Sequence, residues 1–243
     1  MIKIGVYGLG RFGSFWAGLL STKFEVYGYT RSSQRPTPKG VVRVNSLEDL
    51  AEVDVLYLCT SISSMEETAR SLIPVLKSNT LIVDTCSVKV EPLKTLERLL
   101  GDTNPIMGTH PMFGPDSAKE GVKGLPVVLT PVTNSEKDLA YWKDVFAEMG
   151  MRVYIMTPEE HDQQAAYTQG ITHFIGRVLD ELSLESSPIG TYGYQRLLEI
   201  RQQTCNDPWQ LFVDLQHYNP YTYDMRQDLK KAMNKIMKEL HHS

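Results

Sequence analysis

Two stretches of this chain carry groups fit for chemistry. The first is Gly108-Thr109-His110-Pro111-Met112-Phe113-Gly114-Pro115-Asp116-Ser117, which follows a short apolar run from Pro105 to Met107. Imidazole is the side chain whose ordinary pKa suits proton transfer near neutral pH, so His110 is a candidate general base. The prolines and the glycine after it favour an irregular loop, which would hold His110 near a strand end, at the rim of a sheet. The second stretch is Gly8-Leu9-Gly10-Arg11-Phe12-Gly13, a G-x-G-x-x-G pattern. It lies between a strand-like run, Ile2 to Tyr7, and an apolar-periodic helix reaching about Leu20, the context in which the motif signals dinucleotide binding. Gly8 permits the tight turn, Gly10 lets backbone approach a pyrophosphate, and Gly13 lets helix and sheet pack closely. The helix N-terminus then offers free N–H groups to phosphate.

The elements that must position these groups alternate regularly. Strands are expected at Phe24 to Tyr29, Val41 to Val44, Asp54 to Cys59, Thr80 to Thr85, Val127 to Leu129 and Arg152 to Ile155, with helices from Ser46 and over Glu136 to Met149. That alternation predicts an α/β fold, a Rossmann-type doubly wound parallel sheet over residues 1–156. Its carboxyl edge would gather Thr60, Ser61, Ser87 and His110. Ser87 also fits as the N-cap of the helix after Lys89. The second strand ends in Thr30-Arg31-Ser32-Ser33-Gln34-Arg35, without the carboxylate that usually accepts a ribose 2′-hydroxyl. Guanidinium and hydroxyl groups suit a 2′-phosphate instead, which predicts NADP with Arg31 as its main reader and Thr30 and Ser32 beside it.

From Thr157 the pattern is helical only, so residues 157–243 form an all-helical second domain, by analogy a substrate and dimerisation unit. Thr157-Pro158-Glu159-Glu160 is a helix start, and one helix is expected to run on toward Leu182. Spacing of four puts Gln169, His173 and Arg177 on one face among core-like neighbours; such a polar stripe needs partners, and a substrate could be one. Ser186-Ser187-Pro188 breaks that helix, another starts near Thr191, Asp207-Pro208 opens a third, and Asn219-Pro220 precedes the last.

Composition sets the outer bounds. The 243 residues carry a net charge of -4 with mixed signs, so neither nucleic acid nor an anionic membrane is the implied partner. No run approaches the roughly 18 apolar residues of a membrane span. The three cysteines form no spaced pair and no signal-peptide pattern precedes the first strand, so a reduced, cytoplasmic protein is expected. No His, Cys and carboxylate set has metal-ligand spacing, and no metal is expected.

The chain resembles the prephenate/arogenate dehydrogenases of tyrosine synthesis. Thr109 to Pro115 with Asp116-Ser117, the Ser87-Val88-Lys89 turn and Glu160-His161-Asp162 carry the similarity. The helical half looks closest to plant-type arogenate dehydrogenases through Thr172-His173, Gly176-Arg177-Val178-Leu179, Ser186-Ser187-Pro188-Ile189, Thr191, Gly193-Tyr194, Leu197-Leu198 and Tyr218-Asn219-Pro220. The resemblance implies oxidative decarboxylation of a cyclohexadienol: the ring C4 hydride goes to nicotinamide, the C4 hydroxyl loses its proton and the ring carboxylate leaves as CO2. His110 is then the general base and Ser87 a hydrogen-bonding partner of the same hydroxyl, while Gln169, His173 and Thr191 line the substrate pocket.

Substrate choice turns on the side chain, a ketone in prephenate and an ammonium in arogenate. An acidic residue at the position matching Asp207 favours the ammonium, hence arogenate, although Asp before Pro is also an ordinary helix start. The arginine that many bacterial relatives use for the ring carboxylate falls one residue from Arg201, which leaves Lys89, Arg177 and Arg201 as candidates. The family further suggests a homodimer through the helical domain and simple kinetics without a separate tyrosine-sensing domain. The alternatives are a prephenate dehydrogenase making 4-hydroxyphenylpyruvate and, more distantly, a non-catalytic NADP-binding sensor.

Overall fold

A computed structural model describes residues 2–241. Contacts divide the chain into two compact units, one ending at His161 and one starting at Asp162.

The first unit is an eight-stranded sheet in the order β3-β2-β1-β4-β5-β6-β7-β8. Its strands are β1 (Lys3–Tyr7), β2 (Glu25–Tyr29), β3 (Val41–Val44), β4 (Val55–Leu58), β5 (Leu81–Asp84), β6 (Ile106–Pro111), β7 (Pro126–Thr133) and β8 (Arg152–Ile155). Helices α1 (Arg11–Leu20), α2 (Met65–Leu72), α3 (Val90–Leu100) and α4 (Glu136–Glu148) connect them. Every residue of β4 and β5 is buried, as expected for central parallel strands covered on both faces. Strand order reverses between β1 and β4, the switch point at which doubly wound sheets open a ligand crevice. An aromatic cluster fills the core beneath it: Trp16 lies 5.9 Å from Tyr57 and 5.6 Å from Phe146, and Tyr57 5.4 Å from Trp142.

Two sequence expectations change. The sheet is mixed, because β7 runs antiparallel to β6. No helix forms over residues 112–125 to carry the chain back across the sheet, so it returns directly alongside β6. That pairing sets His110 opposite Val128, one residue before the end of β6, and so near a strand end. The helix expected from Ser46 is a single 3-10 turn, Glu48–Leu50, with Asp49 Oδ2 accepting the N–H groups of Asn45 and Ser46.

A buried ion pair ties the turn after β5 to β6. Lys89 Nζ bonds Asp84 Oδ2, and both side chains are fully buried. The same ammonium donates to Thr109 O at 2.8 Å, Cys86 N donates to Asp84 Oδ1 at 2.7 Å, and Thr109 Oγ1 donates to Asp84 O at 2.8 Å. A Cβ at Gly108 would stand 3.1 Å from Lys89 Cδ and 2.8 Å from Leu93 Cδ1, so the lysine stem passes where only glycine leaves room.

The second unit is helical. The capping box at Thr157 forms as read, with Thr157 N donating to Glu160 Oε2 at 2.9 Å and Glu160 N to Thr157 Oγ1 at 3.1 Å. The helix it starts, α5 (Pro158–Ala165), crosses the boundary between the units. It does not run evenly to Leu182: a π turn, Ala166–Gly170, separates it from α6 (Ile171–Glu181). Threonine back-bonding accompanies the turn, Thr168 Oγ1 to Gln164 O at 2.9 Å and Thr172 Oγ1 to Thr168 O at 2.8 Å. Helices α7 (Tyr192–Cys205), α8 (Trp209–Tyr218) and α9 (Thr222–His241) follow. Among the described residues no helix is long and apolar enough to cross a membrane.

Removing one partner of a buried pair leaves an uncompensated charge, so Lys89→Met or Asp84→Asn alone should destabilise the fold by about 3–5 kcal/mol. Urea unfolding checks this; the double change Lys89→Met with Asp84→Leu should recover most of the loss, and equal losses in single and double variants would contradict it.

Candidate active site

The carboxyl edge of the first unit collects the groups the sequence singled out. The glycine loop follows β1; Gly8 has φ of +104°, and a Cβ there would lie 2.4 Å from Cys59 O. A Cβ on Gly13 would lie 1.8 Å from Gly8 O, whereas one on Gly10 meets nothing within 4 Å. The loop is thus closed on its protein side and open at Gly10, where α1 begins without a side-chain cap. On β4's end, Thr60 Oγ1 is buried without a protein partner. An uncapped helix N-terminus, open space at the middle glycine and an orphaned hydroxyl fit a dinucleotide pyrophosphate.

The remaining loop residues divide. Leu9 is buried, and the phenyl ring of Phe12 stacks on Trp16 at 5.8 Å, so both side chains belong to the core and only their backbone faces the loop. Arg11 pairs with Asp116 at 2.5 Å, joining this loop to the segment after His110. Ser61 shares a hydrogen bond with Ser64, Oγ to Oγ 2.7 Å. Thr30 is half-buried just beyond β2, and Ser32 is exposed. Arg31 is exposed and reaches Glu67 at 3.2 Å. Sequence reasoning passed over Arg43, which shapes this segment by donating to Arg35 O at 2.6 Å and Ser32 O at 2.8 Å. Its position on β3, beside the end of β2, was the available signal.

His110 is buried, and its Nδ1 lies 2.8 Å from Nε2 of His161, itself only 1 % exposed. His161, which the sequence offered only within the Glu160-His161-Asp162 resemblance and without a role, is the side chain that meets His110. Its signal was the capping box, which fixes the first turn of α5 and so the side of the helix on which His161 stands. One proton serves that contact, so the two rings bond only as a donor and an acceptor. If His110 Nδ1 carries the hydrogen, its Nε2 holds the lone pair a base requires. Ser87 is half-buried in the turn after β5; the cap position of α3 belongs to Lys89, so the capping reading of Ser87 does not hold. Lys89, a candidate for the ring carboxylate, is excluded by its burial against Asp84. The thiols nearby are not reactive: burial pushes Cys59 up to about 12 and Cys86 well above its ordinary value. Among the described residues no group of three or more His, Cys, Asp or Glu could hold a metal.

In the second unit the polar stripe is real in composition and altered in phase. His173 and Arg177 share a face of regular α6, while Gln169 lies in the π turn. Gln169 Oε1, His173 Nδ1 and Arg177 Nε are each buried without a protein hydrogen bond. Burial, and then the charge of Arg177, hold His173 down to about 4, so it is neutral at physiological pH. Thr191 is exposed and caps α7, its Oγ1 accepting from Tyr194 N at 3.2 Å. Asp207 is half-buried at the start of α8, where the cap position is taken by Pro208. Arg201 donates to Leu184 O.

Comparison with known proteins bears on this arrangement. Residues 22–155 match the model described as prephenate dehydrogenase, nucleotide-binding domain, and residues 178–243 that described as TYRAAT1-like, C-terminal domain. Arogenate dehydrogenase 1, chloroplastic, of Arabidopsis thaliana is 37% identical over 98% of this chain and 39% of its own length. Arogenate dehydrogenase 2, chloroplastic, of the same plant is 36% identical over 98% of this chain and 70% of its own. The chain belongs to the prephenate/arogenate dehydrogenase family. It spans 39% of the length of the first of those relatives and 70% of the second. The fold of the family is also that of a solved structure, prephenate dehydrogenase from A. aeolicus in complex with hydroxyphenyl propionate and NAD+. The likeness has a TM-score of 0.77 at 22% identity and covers all of this chain and 91% of that one.

The buried neutral histidine has a pH signature. His173 is uncharged in folded and unfolded chain alike above its ordinary value of 6.5; below that the unfolded chain takes up a proton that the folded chain refuses until about 4. Stability contributed by this group is therefore complete above pH 6.5 and is lost as pH falls toward 4, by about 3 kcal/mol at most. Urea unfolding across that range should show the loss in the native sequence and a flatter profile in His173→Gln; parallel profiles would refute the assignment.

Proposed function

We propose that this chain catalyses the oxidative decarboxylation of arogenate to tyrosine with NADP. The observation that carries the reading is the buried His110–His161 bond beside the carboxyl edge of a dinucleotide-binding sheet. Residues 1–156 bind the cofactor, through backbone of Gly8, Leu9, Gly10, Arg11, Phe12 and Gly13 at the pyrophosphate and through Thr60 and Ser61 at the next strand end. Arg31, with Thr30 and Ser32, reads the 2′-phosphate, and Glu67 is the contact it exchanges for that anion. The nicotinamide, when bound, supplies the hydride acceptor. His110 Nε2 takes the C4 hydroxyl proton while its Nδ1–H stays on His161, and Ser87 aligns the hydroxyl. Aromatisation makes loss of CO2 downhill, so orientation and deprotonation are what the protein has to provide.

Residues 157–243 carry the substrate and dimer contacts. Gln169, His173 and Thr191 contact substrate, and Asp207 takes the side-chain ammonium, which a keto substrate lacks. The apolar side chains Met233, Ile236, Met237 and Leu240 recur at helical spacing on α9 and are exposed, which supports a homodimer through this unit.

Reduced-cofactor absorbance with arogenate or prephenate, each with NADP or NAD, tests the reading: turnover is expected chiefly with arogenate and NADP. A preference for prephenate would leave Asp207 as part of a helix start, and no turnover in any of the four by folded, NADP-binding protein would favour a sensor. His110→Asn should lower turnover about 10²–10⁴-fold with cofactor affinity nearly intact; unchanged turnover would remove His110 from the mechanism. Arg31→Ala should raise the NADP KM about tenfold or more and leave the NAD KM within about twofold, the size of one charge-assisted contact. Equal effects on the two cofactors would remove Arg31 as the 2′-phosphate reader.

A further inference from the structure

The helical unit holds one guanidinium in an unusual setting. Arg177 Nη2 donates to Thr204 O at 3.2 Å and to Asp207 O at 2.9 Å. Its guanidinium carbon lies 5.2 Å from the centre of the Trp209 indole and 5.7 Å from that of Phe212. These are its partners among the described residues: carbonyls at the end of α7, the carbonyl of Asp207, and two rings in the first turn of α8. No carboxylate is among them. A planar cation with forked donors and two π faces meets all four groups at once, which an ammonium on a flexible stem does not.

The helix bearing Arg177 is pressed against the same place. A Cβ on Gly176 would stand 2.0 Å from Thr204 Oγ1, Thr204 is buried, and Cys205 Sγ lies 3.8 Å from Gly176 O. The side chain of Thr204 on α7 therefore packs directly on the bare backbone of Gly176 on α6. Helix α7 has no basic residue in its own last turn, so its terminal carbonyls receive their cation from α6. The turn from Thr204 to Trp209 is held from α6 by Arg177 in addition to the bond of its own cap, Asn206 N to Gln202 O at 3.0 Å.

We propose that Arg177 is a positioning residue for substrate selection: by clamping the α7–α8 turn it sets where Asp207 stands relative to His173, one helical turn along α6. This rests on the reading of Asp207 as the acceptor of the substrate ammonium. Arg177 spends its donors on main chain and its faces on rings, so its contribution to selectivity passes through the carboxylate it positions. Arg201, the other arginine considered for this region, donates to Leu184 O and pairs with Asp180 at 3.9 Å.

The test compares four proteins: the native sequence, Arg177→Met, Asp207→Asn and the double variant, each with kcat and KM for arogenate and for prephenate. Arg177→Met is expected to lower the arogenate-to-prephenate ratio of kcat/KM by about tenfold or more, mostly through the arogenate KM. In the Asp207→Asn background the same change should move that ratio by less than about threefold, because the group it positions is gone. Arg177→Lys should keep part of the ratio. It also carries the comparison if Arg177→Met fails to fold. Equal loss on both substrates, or the same change of ratio in both backgrounds, would overturn the positioning role while leaving Asp207 intact. A ratio unmoved by Asp207→Asn, or no turnover of either substrate, would remove the reading of Asp207 and this inference with it.

Discussion

Much of the first unit's chemistry hangs on the ion pair of Lys89 and Asp84. An ammonium and a carboxylate without solvent contact are tolerated only with full mutual compensation and further hydrogen bonds, and here both have them. Asp84 ends β5 and Lys89 opens α3, so the pair closes the turn on which Ser87 sits. The lysine's second bond is to Thr109 O, one residue before His110. Side chains alternate along a strand: position 108 faces Lys89 and Leu93, so Thr109 points to the opposite face and His110 to the same face as Gly108. Ser87 and His110 are therefore not independently placed. A shift in the turn after β5 relative to β6 would have to break a buried charge contact.

Against that rigid support, the choice of a second imidazole as the neighbour of His110 has a chemical consequence. A carboxylate in that position would raise the basicity of His110 and hold an imidazolium strongly. An imidazole in that position orients the ring through one shared proton, with one nitrogen donating and the other accepting. In the proposed reaction aromatisation is the driving force, so what that reaction asks of His110 is a fixed orientation, which the bond to His161 provides.

What the sequence revealed, and what it hid, follows from how local each signal is. The glycine motif, the capping box at Thr157 and the alternation of strands and helices are read within a few residues, and they formed. The antiparallel return of β7 depends on the absence of a crossover helix over residues 112–125, a property of a whole segment, and it was missed. The π turn at Ala166–Gly170 breaks the phase on which the Gln169–His173–Arg177 stripe was built; backbone competition from threonine hydroxyls accompanies it and carries little weight in periodicity. Lys89 looked like a free cation because a pattern shows charge and not burial. His161 and Arg43 act through neighbours distant in sequence, so their roles could be seen only once strands and helices were packed.

Orphaned polar atoms show why position matters more than type. Trp16 Nε1, Tyr57 OH and Thr130 Oγ1 are buried without partners, and so are Thr60 Oγ1, Gln169 Oε1, His173 Nδ1 and Arg177 Nε. Each leaves about 1–3 kcal/mol of hydrogen bonding unrealised. The first three lie on α1, within β4 and within β7, among aromatic and aliphatic packing that contributes far more than one bond. The others lie at a strand's carboxyl end, in the π turn or along α6, where packing alone gives no reason for a polar group in place of an apolar one of similar size. A ligand that satisfied them would return the missing free energy on binding and stabilise the fold by the same linkage. The fold thus gives up stability at the points where recognition would restore it, and the Lys89–Asp84 pair and the aromatic core of the first unit are what make that concession tolerable there.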